Sequence, residues 1–121
     1  MEQDHRQKTI LCDIDGTLVK HTDPTLTANP DYELELLPGT LEKLIEWDRK
    51  GYRIILVTGR RESSRTATEK QLSRLGIFYD QLVMGLGGGK RIIINDRKPN
   101  GVDACDSVSI DRNSGISSID I

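Results

Sequence analysis

Asp13 and Asp15 are separated by a single residue in Asp13-Ile14-Asp15-Gly16-Thr17-Leu18, directly after the apolar run Thr9-Ile10-Leu11-Cys12. An apolar run of that length reads as a buried strand. Strand alternation then sends both carboxylates to one side. Like charges that close repel, and partial burial adds a desolvation cost. A bound cation offsets both. Gly16 lets the chain turn sharply without a Cβ clash. The chemistry these residues suit is a carboxylate nucleophile and an acid, organised around a hard metal ion.

Two further apolar runs end in polar residues. Ile54-Ile55-Leu56-Val57 ends in Thr58-Gly59, and Ile92-Ile93-Ile94 ends in Asn95-Asp96. Ligands of open parallel sheets bind outside the carboxyl ends of the strands, so these ends belong to one candidate site. A phosphate monoester is dianionic and repels an attacking carboxylate. A divalent cation with oxygen ligands offsets that repulsion. Asp13 and Asp96 can hold such an ion, with Mg²⁺ the expected choice. The Thr58 hydroxyl and the Gly59 backbone N–H can bind phosphate oxygens, and a lysine can neutralise the rest. Asp13 then attacks phosphorus to give an aspartyl-phosphate. Asp15 protonates the leaving oxygen and later activates water.

The elements that position these residues alternate. Pro24, Pro30 and Pro38 interrupt the segment 19–37, which reads as a short flap or irregular hairpin. Leu41, Leu44, Ile45 and Trp47 share a helical spacing that stops at Gly51. Tyr52 to Thr58 reads as the second strand and Arg61 to Leu75 as the second helix, closed by Gly76. Tyr79 to Met84 is a weak third strand, and Gly85-Leu86-Gly87-Gly88-Gly89 a flexible loop. Arg91 to Asn95 and Ser107 to Ile110 are expected as the fourth and fifth strands; the tail from Asn113 has no assignment. Strands alternating with helices predict a three-layer α/β fold around a central parallel sheet.

The chain resembles the haloacid dehalogenase-like superfamily of phosphotransferases. The first motif of that superfamily, D-x-D-G-T-L, is present as Asp13 to Leu18, the second as Ile54 to Thr58 and the fourth as Ile92 to Asp96. The resemblance covers residues 8–111. It implies a Rossmann-like sheet of order 5-4-1-2-3, with Mg²⁺ held by Asp13, the Asp15 main-chain carbonyl and Asp96. There are two departures. The fourth motif reads Asn95-Asp96, where Asn95 can bind the metal or its water, and Asn100 replaces a frequent second acid. The motif lysine is Lys90 or Lys98, with Lys90 favoured by its place just before the fourth strand. Neither usual insertion point holds a cap domain, so the chain resembles a capless member, one domain over 1–121. Such members resemble sugar-phosphate phosphatases, so a small sugar phosphate is the expected substrate. The alternatives are nucleotide or nucleic-acid ends, or a non-catalytic phosphate-binding module. A homo-oligomer is also expected, because a neighbouring subunit can supply the missing cap.

Composition bounds the partners. The 121 residues carry a formal net charge of -2, with 36% hydrophobic and 30% charged residues, which suits one globular domain. That charge gives no reason to expect non-specific nucleic-acid binding. No apolar run approaches a membrane span, and Met1 to Lys8 is polar, so neither a membrane partner nor secretion is expected. The cysteines Cys12 and Cys105 then read as reduced thiols in a cytoplasmic protein, with Cys12 a small core residue. His5 and His21 lack partners at metal-ligand spacing and read as surface residues, and Trp47 as core.

The glycine loop fits neither nucleotide fingerprint. A P-loop needs glycine at Met84 and Ser or Thr at Arg91, and a dinucleotide loop needs glycine at Lys90. A phosphorylated receiver domain places its aspartate at the end of the third strand, which here ends near Met84 and Gly85.

Overall fold

The computed structural model describes residues 6–121. Its centre is a parallel sheet of three strands in the order β1-β2-β3: β1 Thr9–Asp13, β2 Arg53–Val57 and β3 Gln81–Val83. Thr9 pairs with Arg53 and Asp13 with Val57, so the first carboxylate is level with the end of β2. Val57 pairs in turn with Val83. The β-branched and leucine residues of β2 suit a strand covered on both faces. Ile54 and Leu56 are fully buried, whereas Leu11 of the edge strand β1 is exposed.

Three helices connect or flank the strands. α1, Pro24–Thr27, is a single turn with proline at its start, and the Asp23 carboxylate accepts the Thr25 N–H as its cap. α2, Thr40–Arg49, packs against β2 and sinks Leu44 and Trp47 into the core. A 3₁₀ turn over Glu62–Ser64 leads into α3, Arg65–Arg74. The buried side of α3 is Ala67, Thr68, Gln71 and Leu72, half of it polar. The segment 19–37 folds back on itself: Val19 bridges Leu36, and Lys20 N–H donates to the Glu35 carbonyl. No helix among the described residues is long and apolar enough to cross a membrane.

The observed order 1-2-3 and the parallel sheet match expectation, and the described residues form no separate cap. The two outer strands differ. Residues 91–95 and 107–110 form no strand, and Ile92, Ile93 and Ile94 are 79%, 58% and 92% exposed. β-Propensity describes what a segment tolerates, and pairing needs a partner edge within reach. Here the chain leaving the glycine loop is held at Arg91, whose guanidinium meets Asp13, and the isoleucines run on into solvent. β1 therefore stands at an edge of the sheet instead of at its middle.

The C-terminal tail does have a place. Ile116 is fully buried and its N–H donates to the Pro38 carbonyl, while Asn113 N–H donates to the Gly16 carbonyl. The Asn113 side chain accepts the His21 N–H. The tail so ties the turn after β1 to the start of the flap.

Candidate active site

Asp13 and Asp15 both line one cleft of about 880 Å³. The ends of β1 and β2 supply Asp13, Asp15, Thr58 and Gly59, the glycine loop supplies Gly87 to Gly89, and the flap supplies residues from His21 to Ala28. Gly16 has φ +86°, a left-handed conformation that side-chain-bearing residues resist, and it turns the chain straight after Asp15. Its N–H donates to the Val19 carbonyl at 2.7 Å. The reading of a sharp glycine turn behind two same-sided carboxylates agrees with this geometry.

The two carboxylates meet different cations. Asp15 accepts two parallel bonds from Arg60, Nε to Oδ2 at 2.9 Å and Nη2 to Oδ1 at 2.8 Å. This is the fork-to-fork geometry in which guanidinium and carboxylate bind most strongly. The Arg60 side chain is only 8% exposed. Its Nη1 donates to Thr68 Oγ1 and to Gln71 Oε1, so all three nitrogens of the guanidinium donate within the protein. Asp13 faces Arg91 through a single, longer contact, Nη1 to Oδ1 at 3.3 Å, with both side chains more open to water.

Thr58 is buried at the end of β2, where its hydroxyl oxygen accepts the Arg60 N–H at 3.1 Å. The hydroxyl proton is left to be donated into the cleft. The glycine loop closes on this strand end: Leu86 N–H donates to the Thr58 carbonyl and Gly85 N–H to the Arg60 carbonyl. The loop is therefore seated, and its glycines allow backbone to pack on backbone at β2.

The remaining expected residues lie elsewhere. Lys90, Lys98, Asn95 and Asp96 are absent from the cleft wall. Asp96 is exposed and accepts only a long contact from the Asn95 amide. Among the described residues, no group of three or more His, Cys, Asp or Glu could hold a metal ion. The cause is the unformed fourth strand, which was to carry Asp96 beside Asp13. The cations on the wall are Arg60, Arg61, Arg91 and Arg112 instead of a lysine. Arg60 and Arg61 are adjacent in the sequence, but nothing local in the chain marks Arg112 or Gln71. His21 lines the cleft mouth, and His5 lies outside the described residues.

Oxygen donors in the cleft suit Mg²⁺, which accepts one or two carboxylates together with substrate phosphate and water. Asp13 and Asp15 provide that donor class. Cys12, next to Asp13, is buried, and burial pushes its thiol up to about 12 with the Asp13 carboxylate adding to the effect. It is a core residue and a poor nucleophile at neutral pH.

Residues 7–92 match the family of the polynucleotide kinase PNKP phosphatase domain. Among solved structures, a chain of the Pnkp1/Rnl/Hen1 complex is 27% identical, with 76% of this chain and 33% of that chain covered and a TM-score of 0.57. A chain of the Pnkp1/Rnl/Hen1 RNA repair complex is 28% identical, with 69% and 28% covered and a TM-score of 0.54. The present chain thus spans about a third of the length of these relatives. A crystal structure from Vibrio cholerae shares the fold, with 21% identity, 76% and 82% coverage and a TM-score of 0.52. No curated protein matches the chain.

Proposed function

The chain belongs to the polynucleotide kinase PNKP phosphatase-domain family of haloacid dehalogenase-like phosphatases, and from that membership we propose that it hydrolyses phosphate monoesters through an aspartyl-phosphate on Asp13. The observation that carries the reading is the cleft itself: two carboxylates, Thr58 and Gly59 share one wall with four arginines.

Asp13 is the nucleophile, since it is the more open carboxylate and has one contact to Arg91 to give up. Thr58 donates its hydroxyl proton to a phosphate oxygen. Arg91 and Arg112 neutralise the dianion, and Arg91 turns from Asp13 to the phosphate as substrate enters. Asp15 delivers a proton to the leaving oxygen and takes one from water in the second step. Arg60 fixes the direction of Asp15; each carboxylate oxygen keeps a further lone pair for that proton. The Asp13 carboxylate and the Asp15 main-chain carbonyl would hold Mg²⁺, which would supply charge neutralisation between carboxylate and phosphate.

The substrate we propose is a phosphate at a polynucleotide end. The family match and the likeness to a chain of the Pnkp1/Rnl/Hen1 RNA repair complex support it. A net charge of -2 argues against non-specific binding along a duplex, yet an end needs cations only at its phosphate, and Arg91 and Arg112 line the cleft there. An open cleft without a cap domain also admits a bulky leaving group. The test is phosphate release, with Mg²⁺ present, from 3′- and 5′-phosphorylated oligonucleotides and from a panel of sugar phosphates. Preference for an oligonucleotide end supports the reading. Preference for a sugar phosphate, the expectation from sequence, overturns the substrate and keeps the reaction.

A further inference from the structure

Gln71 sits on the buried side of α3, 1% exposed, and its carboxamide is fully engaged. Oε1 accepts Arg60 Nη1 at 2.8 Å. Nε2 donates to two flap carbonyls, Thr27 and Asn29, each at 2.8 Å. The partners fix which end is which: reversed, the amide would aim N–H groups at a guanidinium and an oxygen at two carbonyls. A neutral carboxamide buried this deeply is retained only when both ends are satisfied. Here the two ends belong to different parts of the site. One holds the arginine that grips Asp15, and the other holds the backbone at the end of α1, where Thr27 and Ala28 line the cleft.

We propose that Gln71 is a positioning residue that locks the flap to the Arg60–Asp15 pair, so that Asp15 is aimed at the leaving oxygen only while residues 27–29 are seated. This deepens the reading of Asp15 as the general acid and rests on it. Thr68, whose hydroxyl accepts the same Arg60 nitrogen, holds the guanidinium but makes no side-chain hydrogen bond to the flap among the described residues. Gln71 alone joins the two among the described residues of the network.

The test compares wild type with Gln71→Met, which keeps the side chain's length and removes its hydrogen bonds. Turnover is measured on p-nitrophenyl phosphate, whose leaving group needs no proton, and on a phosphorylated oligonucleotide, whose leaving group does. Loss of acid aim lowers kcat/KM, which reads the steps through leaving-group departure and not the later attack of water, by about tenfold or more on the oligonucleotide and leaves it within about twofold on the aryl ester. In an Asp15→Asn background the same substitution produces no further loss. Trypsin cleavage at Lys20 becomes faster in Gln71→Met but not in Asp15→Asn, reporting the released flap. Equal losses on both substrates, or an undiminished effect without Asp15, overturn the inference while an active wild type keeps the phosphatase reading. An inactive wild type sinks both. Should Gln71→Met fail to fold, Gln71→Glu carries the same comparison, since it keeps an acceptor for Arg60 and turns an oxygen toward the flap carbonyls.

Discussion

Gly59 lies so close to Gly87 that a Cβ built on it would stand 2.5 Å from the Gly87 carbonyl oxygen. Backbone passes directly over backbone there, at the point where β2 ends and the glycine loop folds across it. Only hydrogen fits between them. Gly59→Ala forces the loop away from Thr58 and Arg60, both of which bond to it. Overpacking of this kind costs about 1–3 kcal/mol. The variant is expected to melt lower and to bind phosphate more weakly. Thermal unfolding and inhibition by inorganic phosphate measure the two effects, and an unchanged melting point would mean that the loop gives way freely.

The pairing of β1 with β2, the glycine turn after Asp15 and the helix over 40–49 were legible because each is set by local pattern: β-branched runs, a glycine at a forced turn, an apolar stripe. Ile92 to Ile94 carried the same kind of pattern and formed no strand, since pairing is decided by where Gly85 to Gly89 deliver the chain. Asp96, read from that strand, moved away with it. The partners of Arg60 and the burial of Gln71 were obscure for the opposite reason. Nothing in the order of residues says that a polar α3 face will be buried against an arginine that grips a carboxylate 45 positions before it. The tail behaved likewise, because Ile116 finds its place only against Pro38.

Asp13→Asn is expected to remove the proposed nucleophile and leave the fold. Its side chain is partly open to water and its ion pair with Arg91 is a surface one, worth at most about 1 kcal/mol. Phosphate release from an aryl ester is expected to vanish while the melting point shifts little. Retained turnover in clean protein would assign the nucleophile elsewhere. For the wild type, EDTA is expected to stop release and Mg²⁺ to restore it, read in the same assay.

Arg91→Ala separates binding from chemistry. With Arg91 as the phosphate's partner, the variant shows a raised KM, about tenfold, with kcat less affected, as loss of a charge-assisted bond of 1.5 kcal/mol or so predicts. If Arg91 instead blocks Asp13, its removal raises kcat/KM. Steady-state kinetics on one aryl phosphate distinguishes the two outcomes.

Asp15→Asn keeps the shape of the proposed acid but not its proton. Its effect on kcat/KM is expected to grow as the leaving group worsens, from aryl to alkyl phosphate, because only the latter needs protonation. Equal losses across the series would remove Asp15 from the acid role. The exchange also replaces one acceptor of the Arg60 fork by an amide, so the melting point is expected to fall, and activity should be compared at a temperature where both proteins are folded.

Cys12 gives the stability a pH dependence with a definite sign. Burial pushes its thiol up to about 12 in the folded chain, from an ordinary value of 9.0. Below pH 9 the thiol is protonated in both states and contributes no slope. Above it the unfolded chain releases a proton that the folded chain retains, so stability falls as pH rises toward 12. The steepest slope a single group can give is ~1.4 kcal/mol per pH unit. Urea unfolding of wild type and Cys12→Ala between pH 7 and 10.5 reads this directly. The variant is less stable throughout, through the lost packing of a buried side chain, but its stability declines less above pH 9. Parallel curves would show that Cys12 is not the titrating group. Thiol reagents at neutral pH are expected to modify the exposed Cys105 and spare Cys12 until the protein unfolds.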